Sequence, residues 1–100
     1  MLIVAGTLDL PPENRAKLLE AAEPLMRASE AEEGCHAYLM MADPLDPGRV
    51  RIFERWNDED ALAQHFTMPH MAEFGAALGD LGITGSYLTK YVIASSGPLR

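Results

Sequence analysis

The stretch VRIFERWNDEDALAQHFTMPH, residues 50–70, decides the fold, because it contains a strand, a turn and an interrupted helix. Apolar or buried-type positions alternate with polar ones along its first part, and this period of two predicts a strand; the inward set is Val50, Ile52, Glu54 and Trp56. The residues from Ala61 to Phe66 then recur at helical spacing, which predicts a helix with His65 on or beside its buried stripe. Proline is tolerated only near the start of a helix, so a second helical segment begins at Pro69.

The turn after this strand carries the polar residues that begin a helix. Asn57 is expected to cap the helix with its side-chain oxygen. Residues 58–60 are all acidic, and the helix dipole favours negative charge in the first turn. We therefore expect a helix over residues 58–66.

The remaining segments complete a βαββαβ order, the split βαβ arrangement. Strands are predicted over residues 2–8, 35–42, 49–57 and 83–94, with a first helix opened by Pro11-Pro12 and a last helical stripe from Met71 to Leu81. The turn residues at 43–48 predict a hairpin between the second and third strands. The prediction is one α+β domain over residues 1–100, with a core of about 2–94 and a tail over 95–100. In it, two helical segments cover one face of a four-stranded antiparallel sheet.

Two features of this arrangement carry further expectations. The acidic end of the first helix, residues 30–33, opposes the helix dipole and is expected to be solvated and frayed. The fourth strand is apolar on both faces, with Tyr87 and Tyr91 on one and Leu88 and Val92 on the other. Because a monomer would expose one of these faces, we expect a homodimer.

Composition excludes several classes of protein. The net charge of −7 disfavours binding to nucleic acid, because nothing would offset the repulsion of the phosphates. No apolar run approaches the roughly 20 residues that span a bilayer, and no secretion signal is recognised at Met1. The single cysteine, Cys35, suits a reducing cytoplasm. We therefore expect a cytoplasmic protein that acts on a small molecule and not on nucleic acid or membranes.

Three motifs resemble those of the antibiotic biosynthesis monooxygenase family: EGCHAY at 33–38, FERWNDEDALAQH at 53–65 and TMPH at 67–70. The likeness covers residues 2–94. It implies a dimeric α+β barrel, in which two ferredoxin-like subunits pack sheet to sheet. Members of the family include cofactor-free oxygenases of polycyclic phenols, quinol oxygenases, haem-degrading enzymes and an isomerase of a phosphorylated quorum signal.

Three residues are candidates for catalysis. His65 has a side chain that titrates near neutral pH, so it is either a general base or a half-buried helix histidine. Trp56 either forms a wall of an aromatic pocket or fills the core. Glu54 is either a proton acceptor or the partner of a cross-strand cation or hydroxyl, since a buried carboxylate needs one.

Five further residues are candidates for binding a substrate. His36 and Tyr38 are expected to share a face of the second strand with Met40, where they form a polar edge of the pocket or lie toward a dimer partner. Phe66 and Phe74 are expected to hold an aromatic ring together with Trp56. His70 follows Pro69 at a helix start, where a structural or solvent-facing role is favoured over a catalytic one.

Cofactor motifs are missing from the sequence. The three histidines lack a recognised ligand spacing, so no metal is expected, and no flavin, nicotinamide or phosphate-loop motif occurs. The expected function is cofactor-independent oxidation of a phenolic or quinol-type molecule by O2. An isomerase of a small phosphorylated signal and a non-catalytic ligand-binding dimer remain alternatives. Haem degradation is disfavoured, because those relatives use a strand-1 asparagine that residues 2–8 lack.

Overall fold

A computed structural model, which describes all of residues 1–100, contains four strands and three α-helices in the order β-α-β-β-α-α-β. The strands are β1 (Leu2–Asp9), β2 (Cys35–Ala42), β3 (Arg49–Trp56) and β4 (Gly85–Val92). The helices are α1 (Arg15–Glu30), α2 (Glu59–His65) and α3 (Pro69–Leu78), and a 3-10 turn (Pro12–Asn14) precedes α1. The sheet is antiparallel in the order β2-β3-β1-β4, which confirms the predicted ferredoxin-like α+β fold.

The register of the strands aligns side chains in a row across the sheet. Glu54 pairs with Tyr38 on one side and with Val4 on the other, and Val4 also pairs with Lys90. Successive residues of a strand point to opposite faces, so cross-strand partners share a face. This row therefore lies on the face that the helices cover, and it forms the floor of the cavity described below.

Helix α1 packs on the sheet through the predicted stripe. Leu18, Ala22, Leu25 and Ser29 are all buried, and Met26 is partly buried against the same core. Burying such a stripe is what stabilises a helix of this length, since propensity alone is insufficient. The stripe fixes the end of α1, and with it residues 31–34, against the rest of the domain.

The predicted ends of the strands and helices differ from the observed ones by up to three residues, and two of the differences have a clear structural reason. Strand β4 covers Gly85–Val92 instead of residues 83–94, because β1 is its one partner and the pairing ends where β1 ends. The cap of α2 is Asp58 and not Asn57: the Asp58 carboxylate accepts the backbone N–H of Ala61 at 2.8 Å.

Gly6 allows β1 and β4 to approach closely. A Cβ at this position, where φ is +159°, would lie 1.8 Å from the carbonyl oxygen of Tyr87. Any side chain there would separate the two strands, so glycine is required by the strand pairing.

One face of the sheet is left without a covering layer. Large apolar side chains are exposed on it, among them Leu39, Met41, Tyr87 and Tyr91, while their neighbours Tyr38 and Met40 are buried beneath the helices. None of the helices combines the length and the apolar character that crossing a membrane demands.

Candidate active site

A cavity of about 430 Å³ lies between the sheet and helices α2 and α3. Eleven of the sixteen residues that line it are hydrophobic, so the site suits an apolar ligand with few polar groups. The polar side chains among them are Tyr38, Glu54, His65, Ser86 and Lys90.

His65 is the imidazole of this cavity. It is the last residue of α2, and only 1% of it is exposed. Its Nδ1 lies 2.6 Å from Oε2 of Glu32. Because a carboxylate can only accept, Nδ1 carries the proton, and a neutral imidazole then has its lone pair on Nε2. This Nε2 is buried without a hydrogen-bond partner, so it is free to accept a proton.

Glu32 connects His65 to a second histidine. The same Oε2 lies 2.7 Å from Nε2 of His70, the residue after Pro69 at the start of α3. The Glu32 side chain is 5% exposed and that of His70 is 16% exposed. The prediction that residues 30–33 are solvated is therefore wrong for Glu32, because the chain turns after α1 and directs this carboxylate under the junction of α2 and α3.

Glu54 is the second carboxylate of the site, and it lies on the cavity floor. Its Oε1 accepts the indole N–H of Trp56 at 3.0 Å, so its partner is on its own strand and not the expected cross-strand cation or hydroxyl. Burial raises the pKa of Glu54 to about 6, although the hydrogen bond from Trp56 opposes this shift. Burial, with the nearby Glu54 charge, also raises the pKa of Tyr38, which keeps its hydroxyl protonated.

Trp56 lies behind the catalytic candidates and not on the cavity wall. It is fully buried, with its ring centroid 4.7 Å from that of His65 and 6.2 Å from that of Tyr38. The indole therefore fixes the position of the imidazole and of Glu54 from below.

The other predicted binding residues divide into two groups. Phe66 and Phe74 line the cavity, and Phe66 is exposed, so the cavity opens to solvent beside it. His36 is outside the cavity and exposed, with Nε2 2.7 Å from Oδ1 of Asn57. The prediction that His36 shares the face of Tyr38 is wrong, because the register shifts between Cys35 and Ala37 and breaks the alternation.

Sequence patterns did not indicate Glu32 or Lys90. Lys90 is the only lysine or arginine in the cavity lining, and its Nζ lies 3.0 Å from Oε2 of Glu59, which ties β4 to the first turn of α2. The strand alternation could have indicated Lys90, because it places this lysine on the inward face together with Leu88 and Val92. For Glu32 no periodic signal exists.

Comparison with known proteins gives a consistent result. The family model for antibiotic biosynthesis monooxygenase matches residues 1–77. A putative monooxygenase of Mycobacterium tuberculosis is 30% identical over 70 residues, which cover 70% of this chain and 68% of the relative. A putative monooxygenase of Bacillus subtilis is 29% identical over 76 residues, which cover 76% of this chain and 80% of the relative.

Solved structures agree with the fold described above. The crystal structure of a putative antibiotic biosynthesis monooxygenase from Deinococcus radiodurans superposes with a TM-score of 0.90 at 29% identity, covering 100% of this chain and 99% of that one. A putative antibiotic biosynthesis monooxygenase from Nitrosomonas europaea, at 16% identity and a TM-score of 0.86, supports the fold alone; the match covers 95% of this chain and 100% of that one.

Proposed function

Because this chain belongs to the antibiotic biosynthesis monooxygenase family, we propose that it oxidises a phenolic or quinol-type molecule with O2, without a bound cofactor. The observation that carries the proposal is His65, held at Nδ1 by Glu32 and unpartnered at Nε2, at the wall of an apolar cavity. The relatives named as monooxygenases support the reaction class.

The chemistry begins with removal of the phenolic proton. Nε2 of His65 accepts it, and Glu32 stabilises the resulting imidazolium as its ion-pair partner. The phenolate is electron-rich and gives one electron to O2, after which the two radicals combine at a ring carbon that bears hydrogen. The peroxide anion takes the proton back from His65, and loss of water leaves a quinone carbonyl on the ring. One oxygen atom of O2 is retained, and the other leaves as water.

The cavity indicates the size and polarity of the substrate. A cavity of roughly 150 Å³ holds one benzene ring, so about 430 Å³ accommodates two or three fused rings. Its lining offers a single cation, Lys90, which is poorly matched to a phosphorylated substrate. A hydroxylated naphthalene or anthracene skeleton therefore fits better than a phosphosugar.

Oxygen uptake with a panel of one-, two- and three-ring phenols and quinols, in the presence of chelator, tests the proposal. We expect turnover of a fused-ring member, and we expect His65→Ala to lower kcat by roughly 10²–10⁴-fold, the usual effect of losing a general base. His36→Ala is the matched control, because this histidine is exposed and outside the cavity. Full activity of His65→Ala would remove the base from the mechanism.

The oligomeric state is part of the proposal. The uncovered face of the sheet exposes the large apolar side chains of Leu39, Met41, Tyr87 and Tyr91. Exposed apolar patches of this kind mark interaction surfaces, and we propose that a second copy of the chain covers this one. Sedimentation at micromolar concentration is expected to show two chains. A folded monomer under these conditions would contradict the homodimer.

A further inference from the structure

Two imidazoles and a carboxylate converge on one point behind the cavity. Nδ1 of His65 and Nε2 of His70 both lie within 2.7 Å of the same oxygen, Oε2 of Glu32. These three donor atoms all lie within 4.8 Å of one another. We propose that Glu32, His65 and His70 form a binding site for a divalent transition-metal cation of the zinc type.

The donor set selects the class of cation. Two imidazole nitrogens and one carboxylate oxygen suit Zn²⁺ and its first-row neighbours, whereas Mg²⁺ and Ca²⁺ prefer sites made of oxygen alone. The same set, with an open fourth position, occurs in catalytic zinc sites. Sequence spacing did not predict the site, because Glu32 lies in the turn after α1 and is 33 positions from His65.

Side-chain movements of less than about 1 Å would convert the hydrogen-bonded cluster into a coordination site. Zinc ligands at about 2.0–2.1 Å from a tetrahedral ion are about 3.3 Å apart. The two nitrogen–oxygen distances, 2.6 and 2.7 Å, must lengthen by about 0.6–0.7 Å to reach this spacing. The two nitrogens, which lie within 4.8 Å of each other, must settle at the same spacing. The shared hydrogen-bond acceptor already directs both rings toward a common centre, so little side-chain ordering remains to be done on binding.

Burial and access favour occupancy by a cation. Glu32 supplies a negative charge in a site that is almost closed to water, where electrostatic attraction is stronger than at the surface. A second cavity of about 140 Å³ lies between α1 and α3, and His70 and Glu73 line it. This cavity gives a cation an approach to His70 that does not pass through the substrate cavity.

Binding would reverse the hydrogen-bonding character of His65. An imidazole ligates through a lone pair, so coordination at Nδ1 moves the proton of a neutral His65 to Nε2. The nitrogen that accepts a proton in the metal-free protein then becomes a donor. Metal binding and base catalysis by His65 are therefore mutually exclusive, and this inhibitory consequence, unlike the binding itself, rests on the proposed function.

Titration of the protein with Co²⁺, followed by visible absorption, and calorimetry with Zn²⁺ test the site. We expect one cation per chain. His70→Ala and Glu32→Gln are expected to weaken binding by at least about 10-fold, the smallest effect usual even for an outer-shell partner. His36→Ala and Glu33→Gln are matched controls, since both residues are exposed and lie outside the cluster, and they should bind as the parent does.

The outcome is separable from that of the oxygenase assay. His70→Ala removes a partly exposed side chain, so circular dichroism can verify that it folds even if Glu32→Gln does not. Absence of stoichiometric binding, or equal weakening in His36→Ala and His70→Ala, would overturn the site. Nitrogen-15 spectra of the histidines should show the His65 proton moving from Nδ1 to Nε2 when Zn²⁺ is added, and an unmoved proton would also refute the assignment. None of these measurements needs a substrate.

Discussion

Glu32 and Glu54 both have side chains that are almost closed to solvent, and both lie beside His65 or its cavity, but their hydrogen-bond partners differ in kind. Glu32 accepts from two imidazoles, each of which can take a positive charge. Glu54 accepts one neutral indole N–H, and burial raises its pKa to about 6. A carboxylate beside groups that can become cations can stabilise those cations. For Glu54, which has no such neighbour within hydrogen-bonding distance, burial favours the neutral form. The partners, and not the residue type, therefore assign the chemistry.

Among the changes that distinguish the two glutamates, removing the charge of Glu32 should have the largest effect. Glu32→Gln keeps a hydrogen-bonding group but no longer stabilises an imidazolium at His65. We expect kcat to fall by roughly 10–100-fold, as is usual when a carboxylate that orients a histidine is lost. Steady-state oxygen uptake on the substrate found by the panel measures this. Glu33→Gln, at an exposed neighbouring residue, is the control. Equal rates in the parent and in Glu32→Gln would show that Glu32 does not stabilise the imidazolium of His65.

The pH dependence of stability should separate Glu54 from the other carboxylates. The pKa of Glu54 is about 6 in the folded chain, against an ordinary value of 4.5. Between these two pH values the folded state therefore binds more protons than the unfolded state. Glu54 therefore stabilises the fold below pH 4.5, and this contribution is lost as the pH rises through 6. Glu54→Gln cannot ionise. The free energy of unfolding of Glu54→Gln minus that of the parent should therefore increase by roughly 2 kcal/mol from pH 4.5 to pH 7.5, at about 1.36 kcal/mol per pKa unit.

Urea unfolding of both proteins at several pH values checks this difference. Using the difference between parent and variant cancels the contributions of the remaining carboxylates. A difference that stays constant from pH 4.5 to 7.5 would mean that Glu54 titrates as an ordinary glutamate.

The smallest expected effect concerns the hydrogen bond from Trp56. Trp56→Phe keeps a ring but removes the donor, so the pKa of Glu54 should rise further. Hydrogen bonds to charged groups are worth about 1 kcal/mol more than neutral ones, so the destabilisation should be about 1 kcal/mol larger at pH 7.5 than at pH 4.5. Carbon-13 spectra of the Glu54 carboxyl give the pKa directly. A pKa of Glu54 that does not rise would show that the indole does not stabilise the carboxylate.

The same pair of glutamates shows what a sequence can and cannot predict. The strand alternation predicts Glu54 and Trp56 on the inward face, and helical spacing predicts His65 on or beside the buried stripe. The burial of all three confirms both predictions. Glu32 lies beyond the end of α1, where no periodicity applies, and its partners are 33 and 38 positions away. The bulge at His36 and the cap at Asp58 depend on single local hydrogen bonds and register shifts, which composition does not determine.

The ion pair between Lys90 and Glu59 has a consequence for the kinetics of ligand entry. It ties β4 to α2, two walls of the cavity, and its side chains are 46% and 58% exposed. Such a pair is worth roughly 0.2–1 kcal/mol, and added salt screens it. A neutral phenol should therefore enter faster as ionic strength rises, since separating the walls becomes easier. Electrostatically steered association slows under the same conditions. An entry rate that rises with salt therefore indicates that separation of the walls is limiting, and one that falls indicates that diffusion to the cavity is limiting.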